Sequence, residues 1–173
     1  MSVSRFLLAG TALLLLVASF GARAASVAEE VKLKAAFVYN FSLFTTWPNM
    51  NHTLRICVLG GGTFVPLLKK YEGRQVQDAV VRVDQVLSAK EARACQVLFI
   101  DSSEHERIDS IVKELEGSPV LTVADYGKPS SNPVMILLTQ DNDRIAFEVH
   151  QTAATAAGLS FSFKLLKLAR KVY

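Results

Sequence analysis

Short apolar runs, too brief for helices and set between segments of helical periodicity, constrain this chain more than any other feature. Residues 54–59, 96–100 and 119–123 are rich in β-formers and apolar at nearly every position. That is the pattern of strands covered on both faces, not of half-exposed strands that alternate. Val80, Val81 and Val83 mark one more strand. Between the strands, residues 64–71 read as a short amphipathic helix with Thr63 as its N-cap, and 87–93 as a short helical link. Residues 105–116 carry Ile108, Ile111, Val112 and Leu115 at helical spacing and stop at Gly117. Strand and helix in alternation demand a mainly parallel sheet with right-handed crossovers.

The alternation breaks after the turn-rich residues 127–133. Residues 135–139 and 145–149 flank 140–144 and predict a β-hairpin. Residues 151–157 and 161–171 close the chain as helices around Gly158. The expected architecture is α/β: one domain, a mainly parallel sheet flanked by helices, and an antiparallel hairpin at one edge.

Arg5 precedes an apolar run over residues 6–20, and Ala22-Arg-Ala24 supplies small residues of the kind a signal peptidase reads. Residues 1–24 therefore predict a cleaved signal peptide and export, since the run is shorter than the roughly 20 residues a membrane-spanning helix needs. Residues 25–173 remain, enough for one domain with a real core. Arg5 and Arg23 leave without any acid, so the whole-chain charge of +3 falls close to neutral. That excludes a general nucleic-acid binder, which needs a concentrated basic surface.

Residues 34–48 pack Phe37, Tyr39, Phe41, Phe44 and the chain's only tryptophan, Trp47, into one block. Ser26 and Glu29 fit a capping box, and Pro48 predicts an end to the helix by about Thr46. Phe37, Asn40, Phe41 and Phe44 share one face at the helical period. The face is either core or, with Trp47, the anchor of a partner or of a second copy in a homodimer.

Lys34-Ala-Ala-Phe37, Tyr39-Asn-Phe41 and Trp47-Pro48 resemble the opening signature of the YfiR-like family of small periplasmic regulators. The likeness continues in order through residues 54–60, 95–100, 121–125 and 158–169. It implies a non-enzymatic protein that binds the periplasmic domain of an inner-membrane diguanylate cyclase and holds it inactive, lowering cyclic-di-GMP and biofilm formation. It also implies sequestration by an outer-membrane lipoprotein. The chain departs from the family pattern at His150, Phe163 and Asn132-Pro-Val134.

Cys57 lies inside the first predicted strand and Cys95 just before the third. In an oxidising compartment, and with those strands as neighbours, the pair can bridge; two inert buried thiols are the competing reading. If the bridge forms, a reductant loosens the domain and the bond becomes a redox input; the resemblance adds cysteines at matching positions.

Other chemistry is thin. Gly60-Gly-Gly62 and Thr63 sit where a strand yields to a helix, so Gly61, Gly62 and Thr63, with Asp101 and Asp125 after two later strands, form a candidate small-ligand site. The dinucleotide fingerprint fails, however, because Val65 stands where its third glycine belongs. A plain turn, with the two aspartates as caps, is the alternative. His52, His105 and His150 lack metal-ligand spacing, and no nucleophile elbow occurs. Neither cofactor nor metal is expected. Lys164, Lys167 and Lys171 share a predicted helical face near Arg170, a solvated face or a patch for acidic lipid heads or an acidic partner.

Overall fold

The computed structural model describes residues 27–125, 133–141 and 144–173. Ser26 of the predicted capping box and most of the turn at 127–133 lie outside the described residues. The chain divides into two compact units, Met1–Leu33 and Lys34–Tyr173. In the first, residues 27–33 are helical and Lys32 pairs with Glu29 at 3.2 Å.

The larger unit is built on an eight-stranded sheet in the order β10-β8-β7-β6-β5-β2-β4-β3. The strands are β2 (Thr53–Leu59), β3 (Gln75–Val76), β4 (Ala79–Val86), β5 (Val97–Ile100), β6 (Leu121–Asp125), β7 (Ile136–Asp141), β8 (Arg144–Val149) and β10 (Lys171–Val172). All pairs are parallel except β3–β4 and the β7–β8 hairpin. A second, two-stranded antiparallel sheet joins β1 (Thr45–Thr46) to β9 (Ser160–Phe161). The expected α/β class, the mainly parallel sheet and the hairpin are all present.

Every residue of β5 and β6 is buried, because helices cover both faces. On one face Leu59, Leu98 and Ile100 pack with α3 (Ala89–Ala92) and α4 (Ile108–Glu114) in a cluster around Ile108, Ile111 and Leu115. Phe99 points to the opposite face by the period-2 rule and stacks on Phe64 at 3.8 Å between ring centres. There α1 (residues 27–43) contributes Phe41, whose ring meets Phe147 edge-on at 4.9 Å. The disulfide Cys57–Cys95 fastens β2 to the turn before β5, its Cα atoms 6.1 Å apart across a separation of 38 residues.

Several local expectations are corrected. α2 (Val65–Leu68) is preceded by Phe64, which makes no side-chain cap, so Thr63 is not the N-cap. Pro66 in the first turn presets the helical φ and brings no N–H to satisfy, while the Phe64 ring is drawn into the core. The helix predicted over 105–116 begins as a 3-10 turn, Ser102–Arg107, and becomes α-helical only from Ile108. α1 ends at residue 43, where Ser42 Oγ and Thr45 Oγ1 donate to the Tyr39 and Phe41 carbonyls at 2.6 and 2.8 Å. Thr45 and Thr46 are then free to pair with β9.

The largest correction is at the end of the chain. The helix predicted over 161–171 is instead β9, then α6 (Phe163–Leu168) capped by Ser162, then β10. Ala169 turns to ψ 138, and Lys171–Val172 adds a parallel strand beside β8, so the hairpin lies one strand in from the edge. Lys171 thereby leaves the face it was expected to share with Lys164 and Lys167.

Candidate functional site

The residues proposed for a small ligand gather at the C-terminal ends of β2, β5 and β6, but they do not form a cradle. Gly60 sits at φ +98, and a Cβ there would lie 2.8 Å from Ser103 Oγ and 2.9 Å from Asp101 Cβ. A Cβ on Gly61 would lie 3.0 Å from Asp101 Oδ1. The glycines therefore permit close approach of the Asp101 turn. Asp101 is itself committed: its Oδ1 accepts from Ser103 N at 2.9 Å, and its own N–H donates to Leu59 O at 3.0 Å. The Asp101 side chain thus closes on the glycine turn, and Gly62 and Thr63 are left exposed on it.

Asp125 is the register neighbour of Asp101, since Ile100 pairs with Ala124, yet it does not face a solvent crevice. Its two oxygens lie 2.8 and 3.1 Å from Lys34 Nζ, with side-chain exposures of 6% for Lys34 and 10% for Asp125. The pair joins α1 to the end of β6 and answers each buried charge with the other. Sequence reasoning placed Lys34 in a signature and Asp125 in a ligand site without joining them; nothing in the pattern of either segment links them.

Of the residues offered as partner anchors on the first helix, two belong to the interior. Phe41 is 1% and Trp47 5% exposed, and Trp47 Nε1 donates to Gln96 O at 3.1 Å. The buried side of α1 is Lys34, Ala35, Val38, Phe41 and Ser42, with Tyr39 buried at its border, a helical stripe rotated from the expected one. Asn40 is exposed, and Phe37 and Phe44 are half-buried, Phe37 resting on Phe147 at 6.0 Å. Phe37, Asn40 and Phe44, at intervals of three and four, with exposed Leu43, form the outward strip. Ser162 N donates to Phe44 O at 2.9 Å, which sets the start of α6 alongside the end of this strip.

Near the end of β8, Glu148 accepts from Arg170 and from Tyr173 Oη, the latter at 3.0 Å, while Arg170 N donates to Phe147 O at 2.8 Å. The Arg170 hydrogen bond holds the Glu148 carboxyl below the usual carboxylate range against the opposing pull of burial. His150 stacks flat on Tyr173, ring centres 4.3 Å apart. Burial pushes its imidazole below the ordinary value; Glu148 opposes this and Lys171 adds to it. These groups close on one another and serve to staple β10 to β8. Lys164 and Lys167 stand exposed on α6, with Lys167 Nζ 4.8 Å from the centre of the Phe163 ring.

Among the described residues no group of three or more His, Cys, Asp or Glu side chains could hold a metal ion, and no helix is long and apolar enough to cross a membrane. The family model DUF4154, described as YfiR/HmsC-like, matches residues 31–170, which takes in the Lys34–Asp125 pair, the disulfide and both faces of the sheet; the chain belongs to the YfiR/HmsC-like family.

Proposed function

We propose that the chain is exported with residues 1–24 removed and represses an inner-membrane diguanylate cyclase by binding its periplasmic domain, so that cyclic-di-GMP falls and biofilm formation with it. Family membership carries this reading: YfiR/HmsC-like proteins are periplasmic regulators of diguanylate cyclase signalling rather than enzymes. The strip of Phe37, Asn40 and Phe44 on α1 supplies the binding surface, since half-exposed aromatics beside a polar group suit an interface that must also be left open to solvent. The same strip serves a homodimer, and an outer-membrane lipoprotein that sequesters the repressor competes for it.

Deletion of the gene should raise cyclic-di-GMP severalfold, and Phe37→Asp with Phe44→Asp should reproduce that rise while the exported protein accumulates at its normal level. Unchanged cyclic-di-GMP in the deletion strain would remove the cyclase from the reading.

A small-ligand role has a different structural basis from the glycine turn. An apolar groove of about 180 Å³ between α4 and α5 (Gln151–Ala156) is lined by Val112, Leu115, Val120, Met135 and Ala153. A compact apolar ligand bound there should raise the melting temperature in proportion to the logarithm of its concentration. A flat thermal-shift screen of amino acids, nucleotides and vitamins would leave the groove as packing only.

A further inference from the structure

From Phe163 to Tyr173 the chain carries Lys164, Lys167, Arg170 and Lys171 and no acid. Arg170 is taken up by Glu148, whereas no ion pair forms at Lys164, Lys167 or Lys171 among the described residues. On α6, Leu165 points inward and Leu166 and Ala169 flank it half-buried, so Phe163, Lys164, Lys167 and Leu168 share the outward half of the helix. Phe163 is 70% and Leu168 69% exposed, while Val172 and Tyr173 on and after β10 lie beside Gln151, Thr152 and Thr155 of α5. Lys171 Nζ lies 4.2 Å from the centre of the Tyr173 ring.

We propose that this face docks on an anionic lipid surface. The occupant follows from the chemistry of the patch. Its free cations are lysines, flexible point charges suited to a diffuse layer of phosphates, not the planar fork with which arginine grips one carboxylate. Its apolar tips stand apart on a convex helix, Phe163 on one flank and Leu168 on the other. A protein would need a separate pocket for each, whereas a fluid headgroup layer closes around both. Lysine stems are also the amphipathic bodies that settle at a membrane boundary with their polar ends in water. Because the domain as a whole is close to neutral, the attraction is local and short-ranged, and salt weakens it.

The inference rests on the export of the chain but not on its binding a cyclase. The test uses exported protein recovered from the periplasm, mixed with vesicles of phosphatidylcholine alone or of phosphatidylcholine and phosphatidylglycerol in equal parts. The protein should sediment with the anionic vesicles at low salt, stay in solution with the neutral ones, and be released by high salt. Lys164→Ala with Lys167→Ala should weaken partitioning by roughly 25-fold, about fivefold for each cation lost from the headgroup layer. Phe163→Ser with Leu168→Ser should weaken it while keeping the salt dependence. Equal partitioning to both vesicle types, or undiminished binding by the lysine variant, would overturn the proposal. So would a wild-type protein that ignores vesicles while the lysine variant loses binding to the cyclase's periplasmic domain, since the face would then be a protein site. No cyclase is present in the vesicle assay, so a negative result there leaves the repressor reading standing.

Discussion

The centre and the C-terminal edge of the same sheet are held in opposite ways. In the centre, β5 and β6 are buried on both faces and β2 nearly so, a disulfide closes one side, and the buried Lys34–Asp125 pair ties α1 to the end of β6. At the edge, β10 meets β8 through only two register pairs, and Glu148 gathers Arg170 and Tyr173 to hold it there. A reductant should therefore act first on the centre, through its disulfide, and acidification on the edge, through its carboxylate and imidazole.

The sharpest way to break the comparison is Lys34→Met. It removes the Lys34 cation from beside the buried Asp125 carboxylate, and a loss of up to roughly 3–5 kcal/mol in urea unfolding is expected. A loss near that of an exposed ion pair, under about 1 kcal/mol, would show that the centre does not depend on this pair. Reduction of Cys57–Cys95, or Cys57→Ser with Cys95→Ser, comes next: the chain-entropy model gives about 4 kcal/mol as an upper figure for this loop length. The loss should appear as a lower melting temperature, and an equal melting temperature with and without reductant would place the stability of the centre in its apolar packing alone.

Acidification should act on the edge. Both Glu148 and His150 have folded-state values depressed below their unfolded ones, so the stability they contribute is present above the unfolded values and is lost as pH falls. His150 should begin to weaken the edge below about 6.5, and Glu148 at lower pH still. Amide exchange of β10 and β8 should accelerate in that window beyond the intrinsic trend, while β5 and β6 keep their protection. Arg170→Ala should be the smallest change, about 1 kcal/mol, because the guanidinium is partly exposed and screened. It should narrow the pH response of the edge, and an unaltered response would assign that response to His150.

The same contrast decided what could be read from the amino-acid sequence. β5 and β6 were legible because their burial on both faces is written as unbroken apolar runs. β3, β9 and β10 are two-residue strands with no pattern of their own, created by the neighbours they meet. Most of the aromatic block was rightly read as a helix, but its rotation was not: Phe41 turns inward and Asn40 outward, and Trp47 is buried beyond the helix end. Lysine is so rarely buried that nothing in the sequence placed Lys34 on the inner stripe. Thr63 looked like a cap because its type and position fit, yet Phe64 gained more from stacking on Phe99. The docking face of α6 was half visible, in its lysines; exposed Phe163 and Leu168 needed the structure.

The covalent ring closed by Cys57 and Cys95 also bears on how quickly the chain reaches its fold. β2 and β5 are parallel neighbours, so their pairing must wait for the ends of a long crossover containing β3, β4, α2 and α3 to find each other. Contacts of such sequence separation slow folding. Once the thiols are joined, that search is largely over before the strands align, because the closure entropy has already been removed from the unfolded chain. An oxidising compartment then does more than preserve the finished sheet: it shortens the interval during which the unpaired edges of β2 and β5 are open to other chains.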